Sequence, residues 1–388
     1  MTMHILHISN SYGGTAVYEH LYTELDKLGI RQTVYVPLNY KNHSRVGNQM
    51  IDFKTQGSRI VYSTILKSWH RVLYKAKIHR IVDDLEKSMN LKDVDMIHAS
   101  TQCMDGAVAY EIHYKTGIPY ITAIRNTDVN DYYKVFFWHK EYFTKILINA
   151  EKIIFISPKY KEHFLDAVLT RNIASQVERK MQVLPNGIDD FFLQNQCHEP
   201  KALKAEVQLL FVSAFKTGKG LIETIKAIDL LRESGVNITL RAIGKGLPNR
   251  GHDEGYENSV EDLARERSWV HLEDFKRPTE LLEPMREADI FVMPSKPETF
   301  GLVYVEALSQ NLPIIYASGQ GFDGFYEDGK VGYPAVAGDV KDIAYKIKLL
   351  IENYQQISQN ISQIYLNETF SWAMIAQKYQ HIYKNIAP

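Results

Sequence analysis

Two glutamates eight positions apart, Glu298 and Glu306, have the residue type and spacing that could do chemistry. They lie in the run Met-Pro-Ser-Lys-Pro-Glu-Thr-Phe-Gly-Leu-Val-Tyr-Val-Glu-Ala-Leu, from Met293 to Leu308. The apolar run Asp289 to Met293 before it reads as a buried parallel strand, and Pro294 and Pro297 stop that strand. From about Gly301, Leu302, Val303, Val305, Ala307 and Leu308 run all round a helix, and such a helix is buried. Glu306 sits one turn into it, where a carboxylate is costly unless paired or hydrogen-bonded. Glu298 lies in the loop just before. The free N–H groups of the helix start form an anion site. Two carboxylates and an anion site then meet at the carboxyl end of a strand, where open α/β sheets take ligands. A plainer reading also stands: Glu298 complements the helix dipole, and Glu306 forms a salt bridge. Perturbed carboxylates gather at functional sites only statistically, so the residues alone leave both readings open.

Other candidates are cations and glycines at strand ends. Lys219 starts the periodic helix Gly220 to Arg232, which follows the strand Val207 to Val212. A lysine opposes the dipole there, so an anionic partner would suit it. Arg125 follows the strand Tyr120 to Ile124. It is always charged and cannot be a general base, so it either holds an anion or pairs with Asp128. Gly13-Gly14 separate the strand His4 to Ser9 from a helix capped by Thr15, whose apolar face is Val17, Leu21, Leu25 and Leu28. The pair lets backbone approach a ligand. It is not G-x-G-x-x-G, so a dinucleotide fingerprint is missing.

The run P-S-x-x-E-T-F-G-L-x-x-x-E-A-L resembles the signature of group 1, family 4-type retaining glycosyltransferases with the GT-B fold. The resemblance implies an α/β chain with two Rossmann-like domains facing each other across a cleft. Residues 1–190 would form the acceptor domain, joined by a crossing helix at 372–388, and residues 205–371 the nucleotide-sugar domain. Glu298 would contact the donor sugar, and Glu306 the ribose. Thr299 and the amides of Phe300, Gly301, Leu302 and Val303 would meet the sugar and diphosphate. The segment Ser213 to Gly220 resembles G-R-L-x-x-x-K-G, with Lys219 and Gly220 matching. Ala214 replaces the arginine, and Lys216 is a candidate to restore its charge. Gly244 falls in the family's strand-G-x-G turn, Phe275 in the turn beside the nucleobase, and Gly13-Gly14 in its cleft-facing glycine loop, where they would help to bind the donor. Arg125 stands where the family has a histidine near the reacting sugar. His98 corresponds to another cleft residue, and Asp323 to a glutamate at a different spacing. Met181 to Asp189 resembles the family's V-x-P-N-G-V-D turn.

These matches imply transfer from a UDP- or GDP-linked sugar to a carbohydrate or lipid-linked hydroxyl. The resemblance further implies same-face substitution with retention, in the synthesis of cell-surface glycans, and no metal or other cofactor. Alternatives are a nucleotide-sugar epimerase or phosphorylase on the same fold, or a non-catalytic sugar-binding protein.

Length and composition fit this picture. The 388 residues suit two domains, and 45% hydrophobic with 23% charged residues suits a globular protein. A net charge of −1 gives no general affinity for nucleic acid. Cys103 and Cys197 are the only cysteines, which excludes a disulfide framework. The N-terminus does not read as a signal peptide, and no run approaches a spanning helix, so the expected location is cytoplasmic. Ser58 to Val82 holds six basic residues and no acidic one. Lys67, Arg71 and Lys75 would form one stripe on a helix and Ile65, Trp69, Val72, Leu73 and Ala76 another. That helix would lie on an anionic membrane at the inner face, or dock on the sheet with a solvated basic side. Tyr132 to Ile148 reads as one aromatic helix, 190–206 as a linker, 247–260 as a polar loop, and Asp93-Val94-Asp95 as a polar loop rather than a metal motif.

Overall fold

The computed structural model describes residues 2–246 and 253–387. The chain divides into two compact units: Met1–Ile156 with Lys161–Gly187 and Trp372–Pro388, and Ser157–Tyr160 with Ile188–Ser371.

The first unit is a parallel sheet of seven strands among the described residues. They are β1 (His4–Ile8), β2 (Arg31–Asn39), β3 (Arg59–Leu66), β4 (Met96–Ala99), β5 (Tyr120–Ile124), β6 (Lys152–Phe155) and β7 (Met181–Val183), in the order β3-β2-β1-β4-β5-β6-β7. β1, β4 and β5 are buried along their whole length, as continuous apolar runs in a parallel sheet must be. Helix α1 (Val17–Lys27) buries Tyr18, Leu21, Tyr22 and Leu25. The Thr15 hydroxyl accepts the Val17 amide at 3.4 Å, while Ala16 holds the cap position.

The last helix, Trp372–Ile386, completes the core of this unit. Its Trp372, Ile375, Tyr379 and Tyr383 share one apolar cluster with Leu21, Tyr22 and Ile121. A Cβ at Gly187 would stand 2.6 Å from the Trp372 ring, so the Pro-Asn-Gly turn can carry only glycine there without a shift.

The second unit is a six-stranded parallel sheet: β8 (Val207–Val212), β9 (Ile238–Lys245), β10 (Val270–Asp274), β11 (Ile290–Met293), β12 (Ile314–Ala317) and β13 (Gly332–Ala335). The order is β10-β9-β8-β11-β12-β13. Helix α2 (Leu221–Glu233) follows β8, and helix α3 (Leu302–Ser309) follows β11. Each connection returns the chain to a parallel neighbour, so loops leaving β8 and β11 emerge side by side.

Several expectations need correction. Residues 58–82 are not one basic helix. Ile60, Val61, Thr64 and Ile65 are β-branched and form β3, paired to β2. Lys67 follows the strand, Arg71 lies in a 3-10 turn (Ser68–Arg71), and Lys75 is in a helix that starts at Tyr74. The three cations therefore share no helical face.

The aromatic segment is broken into a wide turn at Asp128–Tyr132, a short turn at Phe137–His139 and a helix at Lys140–Asn149. Tyr132, Phe136 and His139 gather round Tyr74 at ring separations of 6.2, 5.5 and 5.0 Å, so tertiary packing overrides helical periodicity.

Residues 190–206 are not a free linker. Asp190–Gln194 is helical, the Cys197 amide donates to Ser309, and the Lys201 amide donates to the Ser358 hydroxyl. Of the expected polar loop, 247–252 lie outside the described residues, and Glu254–Arg265 is a helix. Asp93 and Asp95 serve the sheet: the Asp95 carboxylate accepts the His4 amide, and the Asp93 carbonyl bonds the His4 ring, each at 2.7 Å.

Candidate active site

In the second unit, the loops after β8 and β11 are stitched together by glycines. The Lys296 amide donates to the Gly218 carbonyl at 2.7 Å. A Cβ on Gly218 would lie 2.6 Å from the Lys296 carbonyl oxygen, and one on Gly220 would lie 2.9 Å from that of Pro294. Both glycines have positive φ, +87° and +84°, which side-chain-bearing residues rarely adopt. This approach brings together residues 79 positions apart. Lys219 Nζ lies 2.8 Å from the Glu298 carboxylate, with both side chains mostly buried.

Glu298 is held from several sides. Its other carboxylate oxygen accepts the Thr299 amide at 3.1 Å. Its backbone amide donates to the Gln320 side chain, and its carbonyl accepts the Gly321 amide. Gln320 lies in the Gly319–Gly324 turn, where the Asp323 carboxylate accepts the Gly319 amide at 2.7 Å. Asp323 therefore shapes that turn.

Gly301 starts α3 with φ +81°, and a Cβ there would sit 2.3 Å from the Tyr304 ring. Phe300 is buried against Phe325 and Phe370, which fixes the chain as it enters the helix. The Tyr304 amide returns to the Gly301 carbonyl, so the N–H groups of Leu302 and Val303 at the helix start remain for an anion.

Glu306 is one turn further in and partly buried. Burial pushes its carboxyl up to about 7, and the negative charge of Asp189 adds to the rise. Asp189 itself caps Asp190–Gln194 by accepting the Phe191 amide at 2.8 Å.

Gly244 ends β9 with φ +133°, where a Cβ would fall 2.0 Å from the Ser213 carbonyl oxygen. Lys216 belongs to the loop after β8 and takes the Lys219 amide on its carbonyl at 3.2 Å. Phe275 is half exposed just beyond β10. These residues all stand at the carboxyl end of the six-stranded sheet.

The first unit carries the remaining candidates. Gly13 and Gly14 form a turn after β1, and the Asn48 side chain donates to the Gly13 carbonyl at 2.8 Å. Arg125 ends β5. Asp128 takes its backbone amide at 2.8 Å together with the amides of Gln102 and Cys103. The Arg125 guanidinium instead donates through Nε to the Ser100 carbonyl and lies 5.9 Å over the Tyr18 ring. The sequence reading of an Arg125–Asp128 ion pair is thereby replaced by a carboxylate that folds the turn.

His98 is buried, and its Nδ1 meets the Tyr383 hydroxyl at 2.7 Å. Burial first, then the Arg125 charge, lowers it to about 3, so it stays neutral and does not open to solvent.

Sequence reasoning missed Asp105, which is buried and takes the Asn10 amide and side chain at 3.2 Å each. Burial pushes it up to about 7. A lone Asp in an apolar stretch was the available signal. Among the described residues no group of three or more His, Cys, Asp or Glu is placed to hold a metal.

Two family models together span nearly the whole chain: Glycosyltransferase Family 4 matches residues 12–190, and Glycosyl transferases group 1 matches 195–364. The chain belongs to the group 1, family 4-type glycosyltransferases. This glycosyltransferase is 24% identical over 330 residues to an uncharacterized glycosyltransferase of Methanocaldococcus jannaschii, covering 83% of each chain. It is 26% identical over 285 residues to the alpha-monoglucosyldiacylglycerol synthase of Acholeplasma laidlawii, covering 69% of this chain and 68% of the relative. Among solved structures, Anabaena HepE in complex with UDP matches with a TM-score of 0.70 at 16% identity, over 99% of this chain and 100% of that one. At that identity the likeness concerns the fold, two Rossmann-like domains of the GT-B class.

Proposed function

We propose that this glycosyltransferase moves a sugar from a nucleoside-diphosphate donor to an acceptor hydroxyl with retention of the anomeric configuration. The observation that carries this reading is the Lys219–Glu298 pair at 2.8 Å, beside the start of α3. A diphosphate at that place draws on the Lys219 charge and the Leu302 and Val303 amides. Negative charge grows on the leaving diphosphate as the glycosidic bond breaks. Fixed positive groups aimed at that charge are the largest catalytic term in most enzymes. Lys216 adds charge from the same loop, in place of the arginine missing at Ala214.

Glu298 keeps one oxygen on the Thr299 amide, so its carboxylate is oriented to accept sugar hydroxyls. Glu306 accepts the ribose hydroxyls, while Gly244 and Phe275 border the base. The first unit takes the acceptor, with Arg125 holding an anionic group during the reaction, while Gly13 and Gly14 let backbone approach the donor. Substitution on one face of the sugar needs no enzyme nucleophile, and the diphosphate needs no metal when Lys219 and the helix start neutralise it.

UDP is the favoured donor nucleotide because HepE was solved with UDP and with UDP-glucose. A lipid-linked or saccharide acceptor accords with the diacylglycerol named in the Acholeplasma relative. Trp69, Val72, Leu73, Phe137 and Trp138 are exposed on two stretches that meet at Tyr74, and they support peripheral contact with an anionic membrane. No helix among the described residues is long and apolar enough to cross one.

The test is nucleoside diphosphate release from UDP- and GDP-sugars with and without lipid and saccharide acceptors. Acceptor-dependent release, with product of unchanged anomeric configuration by NMR, is expected. Equal release without acceptor would mean that water takes the sugar and would contradict transfer, whereas an epimerised nucleotide sugar with no net diphosphate release would favour the epimerase.

A further inference from the structure

The chain leaves β1 through a turn that is pinned at its base. The Ser9 amide still pairs with the Tyr35 carbonyl of β2 at 3.0 Å, whereas the next amide, that of Asn10, turns away to the Asp105 carboxylate at 3.2 Å. The same carboxylate oxygen, Oδ1, takes the Asn10 side-chain amide at 3.2 Å. One carboxylate, 1% exposed, therefore holds both N–H groups of one residue.

Asp105 is itself fixed. Its Oδ2 accepts the Thr101 hydroxyl at 3.1 Å, and its amide donates back to that hydroxyl at 3.2 Å. The Thr101 carbonyl takes the Gly106 amide at 2.8 Å and the Thr122 hydroxyl of β5 at 3.1 Å. A carboxylate out of water is costly unless hydrogen-bonded, and bonds to an ionised group are about twice as strong as neutral ones. The tie to Asn10 is thus a stiff one.

Beyond Asn10 the turn closes on itself. The Tyr12 amide donates to the Ser9 carbonyl at 3.2 Å, and the Gly14 amide to the Ser11 carbonyl at 2.9 Å. Tyr12 is buried and stacks on Tyr22 with ring centroids 6.0 Å apart. A displacement at Asn10 is carried along this chain of bonds to Gly13 and Gly14.

The two glycines differ. A Cβ at Gly13 would stand 3.0 Å from the Asn48 side chain, so packing accounts for glycine there. At Gly14 a Cβ would meet nothing nearer than the Arg45 guanidinium at 3.9 Å among the described residues, leaving its chain neighbours aside, and φ lies outside the left-handed region. Neither packing nor backbone calls for glycine at 14. Its bare backbone leaves room for a ligand at the carboxyl end of β1, where open α/β sheets take them.

We propose that Asp105 is a positioning residue for donor binding: through Asn10 it holds the Gly13-Gly14 turn where its backbone meets the nucleotide sugar. This rests on the reading that the glycine turn lets backbone approach the donor, and it names the group that sets the turn.

The full chain is titrated calorimetrically with UDP-glucose and GDP-mannose, and the one bound by the wild type is carried to the variants. Asp105→Ala should weaken binding at least about tenfold, because a hydrogen bond to a charged group is worth roughly that factor. Asp105→Asn keeps an oxygen for both Asn10 N–H groups and should recover most of the loss. Asn10→Ala should weaken binding at least about threefold, and adding it to Asp105→Ala should cost less than about twofold more, since both cut the same tie. Asn10 is half-buried, so Asn10→Ala decides the matter should Asp105→Ala not fold. Gly14→Ala has room within the protein and should melt like the wild type, yet weaken binding at least about fivefold by filling the ligand's space.

Wild-type binding by Asp105→Ala and Asn10→Ala, with a loss in Gly14→Ala, would overturn the positioning and leave the donor reading standing. Asp105→Asn as weak as Asp105→Ala would point to charge rather than a held turn and would also overturn it. Binding lost only in step with a lower melting temperature would make Asp105 a structural residue. Wild-type binding by Gly14→Ala would mean that the turn meets no donor, and the positioning falls with it. A wild type that binds neither nucleotide sugar would remove the donor reading and this claim together.

Discussion

Lys219 and Glu298 neutralise each other in the unliganded chain, and a bound diphosphate has to share that lysine. Removing it leaves the donor charge without its nearest cation. Lys219→Ala should lower kcat/KM by about 10²-fold or more, read as nucleoside diphosphate release with acceptor present. Near-normal turnover would remove Lys219 from the site.

Glu306 gives a separate test through pH. Its folded-state value of about 7 lies above the ordinary 4.5, so the folded chain binds the extra proton between these values. Stability from this group is full below about pH 4.5 and is lost as pH rises through 7. Glu306→Gln removes that loss. The variant should match the wild type near pH 4.5 and exceed it by about 1–3 kcal/mol at pH 8 in denaturant melts. A gap that grows toward acid would contradict the assignment. Glu298, Lys219 and Glu306 became candidates through the family resemblance, because the residues alone fit a helix-dipole and salt-bridge reading as well; the structure adds that Lys219 and Glu298 lie 2.8 Å apart. Asp105 was not legible, because its partner Asn10 lies 95 positions away and only the pairing of β1 with β4 brings the two together.

The loops after β8 and β11 are where local sequence and tertiary geometry agree. Glycine at 218, 220 and 301 permits positive φ and close backbone approach, and Phe300 anchors the turn into the core. Gly220→Ala would force a Cβ to 2.9 Å from the Pro294 carbonyl in a left-handed conformation. It should destabilise the second unit by about 1–3 kcal/mol and weaken nucleotide binding along with it. Unchanged melting and unchanged binding would mean that the loops do not depend on this approach. Ser58 to Val82 shows why the other segment misled. Cations four apart suggest a helical stripe, but a β-branched run next to an available strand edge pairs first. Charge spacing says little where β-pairing supplies the backbone hydrogen bonds.

The chain as a whole places its C-terminal helix in the core of the first unit. His98 meets Tyr383 from 285 positions away, and Trp372 fills the space left by Gly187. Ending the chain after Ser371 would uncover Leu21, Tyr22 and Ile121. The first unit should then lose its cooperative melting transition, while circular dichroism retains signal from the second. A truncated chain with wild-type melting would contradict that dependence. Two halves of alternating strand and helix were readable from periodicity and strand-end motifs. The fastening of residues 190–206 to the second unit was not, because its hydrogen bonds go to Ser309, Ser358 and Ile364, far along the chain.

The most direct measurement is calorimetric titration of UDP, GDP and ADP, without added metal, into the wild type and Lys219→Ala. Binding of one nucleotide diphosphate by the wild type, weakened at least about tenfold in the variant, is the expected result. Equal binding by both proteins, or no binding of any nucleotide, would contradict a donor diphosphate held at Lys219 and the start of α3.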